Sequence, residues 1–303
     1  MMNGEPIQGI DPTVLEHDGE FYYTWGQGHC HMAKLNDDMC TLDKMTFAEA
    51  LISSEPGQHD FHEGSSLRKI GNWFCIVYAS EYIEEYPNRG GRPTKLDYAI
   101  SKDIFGPYER KGTIINNDGI DPETWNNHGS IVKMKDQWYV FYHGSSNNCK
   151  YTRRARVEKI KVDEEKGGIE EAQMTSMGFA DSMNPYNKLE AAYAYEVSGG
   201  AYFTQREDIY PLVNVKNGCS VSYRYLDFSS KESWNIRLEG KIYKNSEIRI
   251  YINKIEVCQL ACYEGEKIVT GTLYTTEKKA DLRIEFLGND KEEILQINEI
   301  SFS

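Results

Sequence analysis

Three segments of the chain repeat one plan, and this repetition limits the choice of fold more than any other feature of the sequence. Each has a polar or acidic start, an alternating run, a tight turn and an aromatic-rich run that ends in a small residue. They span residues 11–26, 63–80 and 128–144, with turns at Asp18-Gly19, Gly71-Asn72 and Asp136-Gln137. Alternation with a period of two on both sides of a short turn is typical of a β-hairpin. We therefore predict three β-hairpins.

The spacing of the three segments indicates a β-propeller. They start at residues 11, 63 and 128, so successive starts are 52 and 65 residues apart, which is the length range of one four-stranded blade. Further strand-like runs lie at residues 31–35, 95–101 and 151–162. The innermost strand of a blade begins at the central channel, so Asp11, Glu63 and His128 are predicted to meet at one end of the axis. We expect a shared active site there.

The pattern changes near residue 180. Residues 163–183 are charged and then small, without a clear period, which is typical of a closing segment and linker. Shorter alternating runs follow, at residues 219–228, 233–243, 247–252, 268–274, 280–286 and 294–302. Their spacing predicts a β-sandwich of the jelly-roll type. The predicted class is all-β, with a partial propeller over residues 1–180 and a sandwich over residues 181–303.

The composition narrows the partners and the compartment. The chain has 34 Lys and Arg against 47 Asp and Glu, a net charge of −13, which disfavours nucleic acid and anionic membranes as partners. Its seven cysteines include no CxxC pair, which is typical of reduced thiols rather than a disulfide framework or a zinc cluster. No run approaches the roughly 20 apolar residues of a membrane span, and no secretion signal is present. We therefore predict a cytoplasmic protein.

A set of motifs occurs in order along almost the whole chain. It runs from Gly9-Ile10-Asp11-Pro12 through His62-Glu63-Gly64, Tyr98-Ala99-Ile100-Ser101 and Asn127-His128-Gly129-Ser130 to Tyr151-Thr152-Arg153. This order resembles glycoside hydrolase family 43, which contains five-bladed propeller β-xylosidases, α-L-arabinofuranosidases and arabinoxylan arabinofuranohydrolases. Asn184-Pro185-Tyr186-Asn187 is similar to the junction into a carbohydrate-binding module of family 6, a β-sandwich. The resemblance implies hydrolysis of xylosidic or arabinofuranosidic bonds of plant cell-wall polysaccharide, xylan or arabinoxylan, without a required cofactor.

The resemblance also implies roles for five residues. Glu63 is the expected general acid of an inverting mechanism, and Asp11 is the carboxylate that tunes it, because a neighbouring anion raises the pKa of a carboxyl group. His128 is expected on the channel axis, near a water-bound structural Ca²⁺ or Na⁺. Arg153 is expected to reach into the pocket and Trp125 to stack on a sugar ring.

The catalytic base of the family is an Asp upstream of the Asp11 position, and only ten residues precede Asp11 in this chain. A closed five-bladed propeller also needs about 300 residues, whereas the predicted propeller segment has about 180. Three interpretations follow. The gene is split or wrongly started, so that the first part of the enzyme lies on another chain; the chain is an inactive relative that binds carbohydrate or acts as a scaffold; or it is an enzyme with a substitute base. Asp121 is the candidate substitute, because Gly119-Ile120-Asp121-Pro122 repeats the motif around Asp11, although Asp-Pro is more commonly a loop turn.

Two further expectations concern assembly and the second domain. An exposed blade edge predicts a homodimer or a complementing N-terminal chain. The last strand carries Gln296 near the position where the module of family 6 has a sugar-binding Asn, so a bracing role and sugar binding are equally open. The polysaccharide-type module also suggests a secreted ancestor, against the cytoplasmic prediction.

Overall fold

The computed structural model describes residues 5–55, 58–80, 95–117, 119–121, 124–146, 149–289 and 291–303. The chain divides into two compact units. Unit 1 comprises Met1–Gly144 and Arg153–Gln173, and unit 2 comprises Ser145–Thr152 and Met174–Ser303. The predicted boundary at residues 180 and 181 falls within unit 2. The described residues form antiparallel β-sheets with short 3-10 helices, so the predicted all-β class is confirmed.

Three sheets follow one another along the first part of the chain. Sheet A contains β1 (Thr13–His17), β2 (Glu20–Trp25), β3 (His29–Lys34) and β4 (Ala48–Ser53), in that order. Sheet B contains β5 (Phe61–Ile70), β6 (Trp73–Ser80), β7 (Lys95–Ser101) and β8 (Glu109–Asn116), again in chain order. Sheet C contains β9 (Ser130–Met134), β10 (Gln137–Ser146) and β11 (Cys149–Ile160), with β10 in the middle. A 3-10 helix, Lys44–Thr46, precedes β4, and a hairpin of β12 (Val162–Asp163) and β13 (Gly168–Ile169) follows β11.

The predicted hairpins are present. In the first, His17 of β1 pairs with Glu20 of β2, and the turn residues Asp18 and Gly19 have φ angles of 54° and 80°. Two positive φ angles in a two-residue turn match the right-handed twist of the paired strands. The hairpin of β5 and β6 likewise closes around Gly71-Asn72, as predicted.

The third turn lies one residue earlier than predicted. Met134 pairs with Gln137, so the turn residues are Lys135 and Asp136. Lys135 has a φ angle of 56°, a conformation that lysine adopts less readily than Asn, Asp or Gly. Turn propensity therefore pointed to Asp136-Gln137, but the alternation of the two strands sets their register.

Sheet B is the most deeply buried sheet of unit 1. Every residue of β7 is buried, and so is every residue of β6 except Trp73. One apolar cluster joins sheet B to sheet A, and its members include Cys30, Met32, Ile52, Phe61, Leu67, Phe74, Ile76 and Tyr78. A sheet buried on both faces needs a packed layer on each side. This packing holds the start of β5, where Glu63 lies, in a fixed position.

Unit 2 contains two sheets and a short 3-10 helix, Ala191–Tyr193. Sheet D contains β14 (Leu189–Glu190), β16 (Tyr202–Phe203), β17 (Leu212–Val215), β19 (Ser233–Ile242), β22 (Ile268–Tyr274) and β24 (Leu295–Phe302). Sheet E contains β15 (Glu196–Ser198), β18 (Cys219–Asp227), β20 (Ser246–Ile252), β21 (Ile255–Cys262) and β23 (Lys279–Leu287). Burial alternates along β19 and β20, and both sheets contribute to one core around Tyr223, Trp234 and Phe286. Two sheets that share one apolar core form a β-sandwich.

The sequence does not predict strand β21 of sheet E. β21 follows β20 through Asn253 and Lys254, whose φ angles are both positive, 47° and 72°. It is the last strand in the order of its sheet, and only Leu260 and Cys262 on it are buried. A strand that buries so few residues lacks the polarity alternation by which strands are recognised.

All seven cysteines are free thiols, as their spacing predicts. Burial raises the pKa of the Cys30 thiol to about 12 and that of Cys262 to about 11, so both stay protonated and unreactive at neutral pH. In the described ranges, no helix has the length and apolar character that a membrane crossing requires.

Candidate active site

The first residues of the three hairpin segments lie together. Asp11 precedes β1, Glu63 lies near the start of β5, and His128 precedes β9. One oxygen or nitrogen atom from each lies within 4.8 Å of the other two. His128 Nε2 is 3.0 Å from Glu63 Oε1 and 3.5 Å from Asp11 Oδ2. We call these three residues the triad.

The backbone around Glu63 shapes this cluster. Gln27, in the segment after β2, forms an isolated bridge with Glu63, which ties sheet A to the start of β5. Gly64 has a φ angle of 71°, and a Cβ placed on it would lie 2.7 Å from His128 Cδ2. Glycine alone leaves this space for the imidazole ring. The Glu63-Gly64 pair therefore supplies a carboxyl group and admits His128 beside it.

Hydrogen-bond donors surround the Glu63 carboxyl group, whose side chain is only 6 % exposed. Gln27 Nε2 donates to Oε2 over 2.8 Å, and Asn126 Nδ2 donates to Oε1. His128 Nε2 also contacts Oε1, and His62 Nε2 lies 3.7 Å from Oε2. Both carboxyl oxygens accept hydrogen bonds, which favours the ionised form.

The acidities within the triad correct an expectation from the sequence. Burial raises the pKa of Glu63, but the hydrogen bond from His128 and the charges of His62 and His128 outweigh it, so the pKa lies below its usual value. For Asp11, burial raises the pKa more than His128 and Arg153 lower it, and the charge of Glu63 adds to the rise. The expected raised pKa of Glu63 is thus not found here. The cause is the set of donors directed at Glu63, which the hairpin pattern does not contain.

The backbone conformation and the carboxylate environment of Asp11 are unfavourable. Its φ angle of 55° lies in the left-handed region, and its Oδ2 atom is buried without a hydrogen-bond partner among the described residues. The backbone N–H of Gly64 bonds to its carboxylate. Left-handed backbone at a residue other than glycine costs free energy and is enriched at functional sites. Within the described ranges Oδ2 has no hydrogen bond, but His128 Nε2 lies 3.5 Å from it. These features make Asp11 a candidate functional residue.

The other predicted site residues, Arg153, Trp125 and Asp121, differ in exposure and in their surroundings. Arg153, in β11, is exposed, and its charge lowers the pKa of both Asp11 and His143. Trp125 is half-buried and lies three positions before His128 in the chain. Asp121, the candidate substitute base, lies next to β10 of sheet C. A Cβ placed on Gly144 of β10 would be 2.9 Å from Asp121 Oδ2.

The remaining tryptophans of unit 1 are engaged in packing. Trp25 is buried, with its ring 5.5 Å from that of His31. Trp73 Nε1 donates to the Glu165 carbonyl, and Trp138 Nε1 donates to Glu164 Oε1, both over 2.9 Å. These contacts with the β12–β13 turn agree with packing, the commoner role of such side chains.

Three residues of the site have no counterpart in the sequence prediction: Gln27, Asn126 and His143. Gln27 and Asn126 donate to Glu63, and His143 Nε2 lies 2.7 Å from the Asn126 carbonyl oxygen. A signal for two of them existed, since Asn126 is next to the Asn127-His128 motif and His143 ends the aromatic run of β10. Gln27 follows a hairpin without any motif of its own.

The metal expected near His128 can be tested against the donors of the triad. Calcium takes roughly six to eight oxygen ligands, whereas the triad offers two carboxylates and one imidazole nitrogen. Both oxygens of Glu63 already accept hydrogen bonds from Gln27 and Asn126. The triad therefore does not fit a directly bound calcium ion, and a water-mediated ion stays a prediction.

The segment that carries the triad matches a known family. Residues 3–168, more than half of the chain, match the model described as glycosyl hydrolases family 43. The chain belongs to glycosyl hydrolase family 43. The motif order around Asp11, Glu63 and His128 had indicated this family.

Two curated relatives extend the comparison. A xylosidase/arabinosidase of Thermoclostridium stercorarium is 27% identical over 281 residues, which cover 76% of this chain and 56% of the relative. An arabinoxylan arabinofuranohydrolase of Paenibacillus polymyxa is 25% identical over 278 residues, which cover 80% of this chain and 41% of the relative. The family 43 chain thus spans about half the length of the curated relatives it matches.

A solved structure shares the fold. The crystal structure of a family 43 arabinoxylan arabinofuranohydrolase from Bacillus subtilis, in complex with cellotetraose, aligns with a TM-score of 0.50 and 18% identity. The alignment covers 98% of this chain and 67% of that chain. At this identity the likeness concerns the fold alone.

Proposed function

We propose that this family 43 chain is a glycoside hydrolase that cleaves xylosidic or arabinofuranosidic bonds of plant cell-wall polysaccharide, with xylan or arabinoxylan as substrate. The observation that carries the proposal is the convergence of Asp11, Glu63 and His128 within 4.8 Å, inside the segment that matches the family. Glycoside hydrolysis needs a carboxylic acid that protonates the leaving oxygen, together with a second carboxylate. Glu63 is buried and held in one orientation by its donors, so we assign it as the general acid.

Substrate binding is expected to protonate Glu63. In the free chain the pKa of Glu63 is lowered, mainly because the His128 hydrogen bond and nearby histidine charges outweigh burial. A glycoside that covers the triad removes water, and the loss of water raises the pKa of a carboxyl group. Glu63 then takes up a proton and donates it to the glycosidic oxygen as the bond to the anomeric carbon breaks.

Asp11 orients the acid and is not the base. An inverting mechanism keeps acid and base about 6.5–9.5 Å apart so that water fits between them, whereas atoms of Asp11 and Glu63 lie within 4.8 Å. The base, a separate carboxylate, removes a proton from the water that attacks the anomeric carbon. Asp121 is the candidate for it within this chain, and an acidic residue on a complementing chain is the alternative.

We also infer that sheets A, B and C are blades of an incomplete five-bladed propeller. The succession of antiparallel sheets and the meeting of their first residues support this arrangement. Val132 and Met134 of β9 and Phe141 of β10 lie on one face of sheet C and are 38–39% exposed. Apolar side chains on a sheet face are normally covered by a further layer, which favours a complementing chain or a second copy as partner.

Activity on arabinoxylan oligosaccharides, with Glu63→Gln as the test variant, addresses the assignment of the acid. General acid catalysis contributes about 10²–10⁴-fold, so we expect a loss of that size in Glu63→Gln. Glu20→Gln is the matched control, because Glu20 is half-exposed and pairs with Lys34 at the surface. Equal turnover by the two variants removes Glu63 from the mechanism, and Asp121→Asn tests the base in the same assay.

The alternative functions give different results in that assay. A carbohydrate-binding relic binds xylo-oligosaccharides in calorimetry without any turnover. One half of a two-chain enzyme turns over substrate only when the complementing chain is added. A homodimer, tested by sedimentation equilibrium, has twice the chain mass.

For unit 2, we propose a carbohydrate-binding role like that of modules of family 6. A cleft of about 580 Å³ on sheet E is lined by Tyr195, Arg224, Tyr251 and Glu285 among others. Tyr251 Oη donates to Glu285 Oε2 over 3.0 Å, and Arg224 lies 3.9 Å from the centre of the Tyr195 ring. Aromatic rings beside charged side chains are suited to bind sugar rings and their hydroxyl groups.

The predicted position of Gln296 is not available for sugar. Gln296 is buried, its Oε1 accepts a hydrogen bond from Arg206 Nη1 over 2.8 Å, and its Nε2 donates to Asn298 Oδ1 over 2.6 Å. We therefore expect Tyr251→Ala to weaken binding of xylo- and cello-oligosaccharides at least tenfold in calorimetry. Tyr263→Ala is the matched control, because Tyr263 is 60% exposed and outside the cleft. Equal affinity of both variants places the site elsewhere.

A further inference from the structure

Asn126 links the Glu63 carboxyl group to a second, buried histidine. Its side-chain amide donates to Glu63 Oε1. Its backbone carbonyl lies 2.7 Å from His143 Nε2 and accepts a hydrogen bond of 2.7 Å from the backbone N–H of His128. The φ angle of Asn126 is 49°. Asn, Asp and Gly tolerate such left-handed backbone best, and Asn alone among them adds an amide donor.

The protonation of His143 follows from its surroundings. Burial lowers its pKa to about 4, so the ring is neutral at neutral pH. Nδ1 is buried and has no hydrogen-bond partner among the described residues, whereas the Asn126 carbonyl lies next to Nε2. A proton on Nδ1 leaves a buried donor unpaired, and a proton on Nε2 satisfies it. His143 therefore donates from Nε2 to Asn126.

We propose that His143 is a positioning residue that acts through Asn126 on Glu63. Its hydrogen bond holds the Asn126 backbone in the left-handed conformation, and this conformation directs the Asn126 amide at Glu63. The inference rests on the proposed role of Glu63 as general acid, yet the hydrogen bonds and the acidity of Glu63 are measurable without turnover.

Other charged groups act on the two ends of this chain of contacts. Glu63 faces His62 and His128 and lies beside Asp11. His143 is influenced by Arg153 and His128, which lower its pKa, and by Asp121, which raises it. None of these charges is altered by a substitution at Asn126 or by His143→Phe, so a change in the acidity of Glu63 reports on the hydrogen bonds.

The test is a ¹³C NMR titration of the Glu63 carboxyl group in the full chain, with the signal assigned by its loss in Glu63→Gln. The test variants are Asn126→Gly, which keeps the backbone conformation without the amide, and His143→Phe, which keeps a ring without a donor. His143→Gln restores a donor at nearly the same place. His59→Phe is the matched control, because His59 Nε2 lies 3.0 Å from the Tyr108 carbonyl, a similar contact away from Glu63.

We expect the pKa of Glu63 to rise by about half to one unit in Asn126→Gly and His143→Phe, because an ionised carboxyl group loses a donor. The rise is absent in His59→Phe and reduced in His143→Gln. The double variant shows no more than Asn126→Gly alone, since both act through one hydrogen bond. If His143→Phe does not fold, His143→Asn, whose amide is too short to reach Asn126, replaces it. An unchanged pKa in a folded His143 variant overturns the proposal.

Turnover separates this inference from the proposed function. For an active enzyme, His143→Phe lowers kcat about tenfold with KM within twofold, and the alkaline limb of the pH profile moves upward, because the acid then stays protonated to higher pH. No turnover together with a shifted Glu63 pKa refutes the hydrolase proposal and leaves the positioning role intact. Turnover together with an unshifted Glu63 pKa in the variants supports the hydrolase proposal and refutes the positioning role.

Discussion

Gly64→Ala tests whether the backbone beside Glu63 has to admit the His128 ring. Gly64 has a φ angle of 71°, and a Cβ there would lie 2.7 Å from His128 Cδ2, 2.8 Å from Nε2 and 3.0 Å from Cγ. Real Cβ contacts lie near 3.4 Å or beyond, so the ring has to move by several tenths of an ångström. That movement lengthens the 3.0 Å contact between His128 Nε2 and Glu63 Oε1.

Two costs add in this variant. The left-handed backbone costs an alanine about 1 kcal/mol. Overpacking against the ring adds about 1–3 kcal/mol. Gly19→Ala isolates the first cost, because Gly19 has a φ angle of 80° and nothing within 4 Å of its added Cβ. We therefore expect Gly64→Ala to lose about 1–3 kcal/mol more free energy of unfolding than Gly19→Ala.

Urea unfolding of both variants measures this difference, and the ¹³C titration measures the acidity of Glu63. The His128 hydrogen bond lowers the pKa of Glu63 against burial, so its displacement moves that pKa upward in Gly64→Ala and not in Gly19→Ala. Equal losses of stability in the two variants, with an unchanged Glu63 pKa, refute the close packing of His128 on Gly64.

Three further predictions use the pH dependence and the buried charges. Burial raises the pKa of Asp11 from its usual 3.8, so ionisation of Asp11 lowers the stability of the fold as the pH rises. We therefore expect Asp11→Asn to unfold at a higher temperature than the wild type at pH 7. Below pH 3.8 the two proteins unfold at the same temperature, as measured by calorimetry. Burial lowers the pKa of His143 from 6.5 to about 4, so stability is lost as the pH falls between these values, by up to about 1.4 kcal/mol per pH unit. In urea unfolding, the free energy of His143→Phe therefore falls less steeply with pH over this range than that of the wild type. An equal dependence in the two proteins contradicts this reasoning. Asp97 is fully buried and accepts hydrogen bonds from Arg110 Nη2 over 2.6 Å and Thr113 Oγ1 over 2.7 Å. Asp97→Ala leaves the half-buried Arg110 and Thr113 without these bonds, so we expect a loss of about 1–3 kcal/mol of unfolding free energy. The surface control Glu170→Gln, in an exposed pair with Lys161, loses less than about 1 kcal/mol, and similar losses in the two variants exclude a special role for Asp97.

Much of the fold could be predicted because its strands are short and regular. Period-two alternation is a local property, and it located the hairpins of sheets A, B and C and most strands of the sandwich. The predicted runs did not include β4, β8, β21 or the short strands β14 to β17, and the third turn lies one residue earlier than predicted. β21 buries little, and Lys135 adopts a left-handed conformation that turn propensity does not favour. In both places the pairing with a neighbouring strand outweighs local preference.

The triad was also predictable, because a repeat places equivalent residues at equivalent points of a fold. Asp11, Glu63 and His128 open three similar segments, and the meeting of their strand starts brings them together. Nothing in the repeat pointed to Gln27 or Asn126, which donate to Glu63 from positions 36 and 63 residues away. Neither residue occupies the start of a repeated segment.

The sequence by itself determined where the hairpins lie and which side chains stand at their starts, since both depend on neighbours along the chain. The tertiary structure alone decided that the pKa of Asp11 is raised and that of Glu63 is lowered. These opposite shifts depend on which donors reach each carboxyl group and how deeply each is buried, and both are set by the packing of segments that are distant in the sequence.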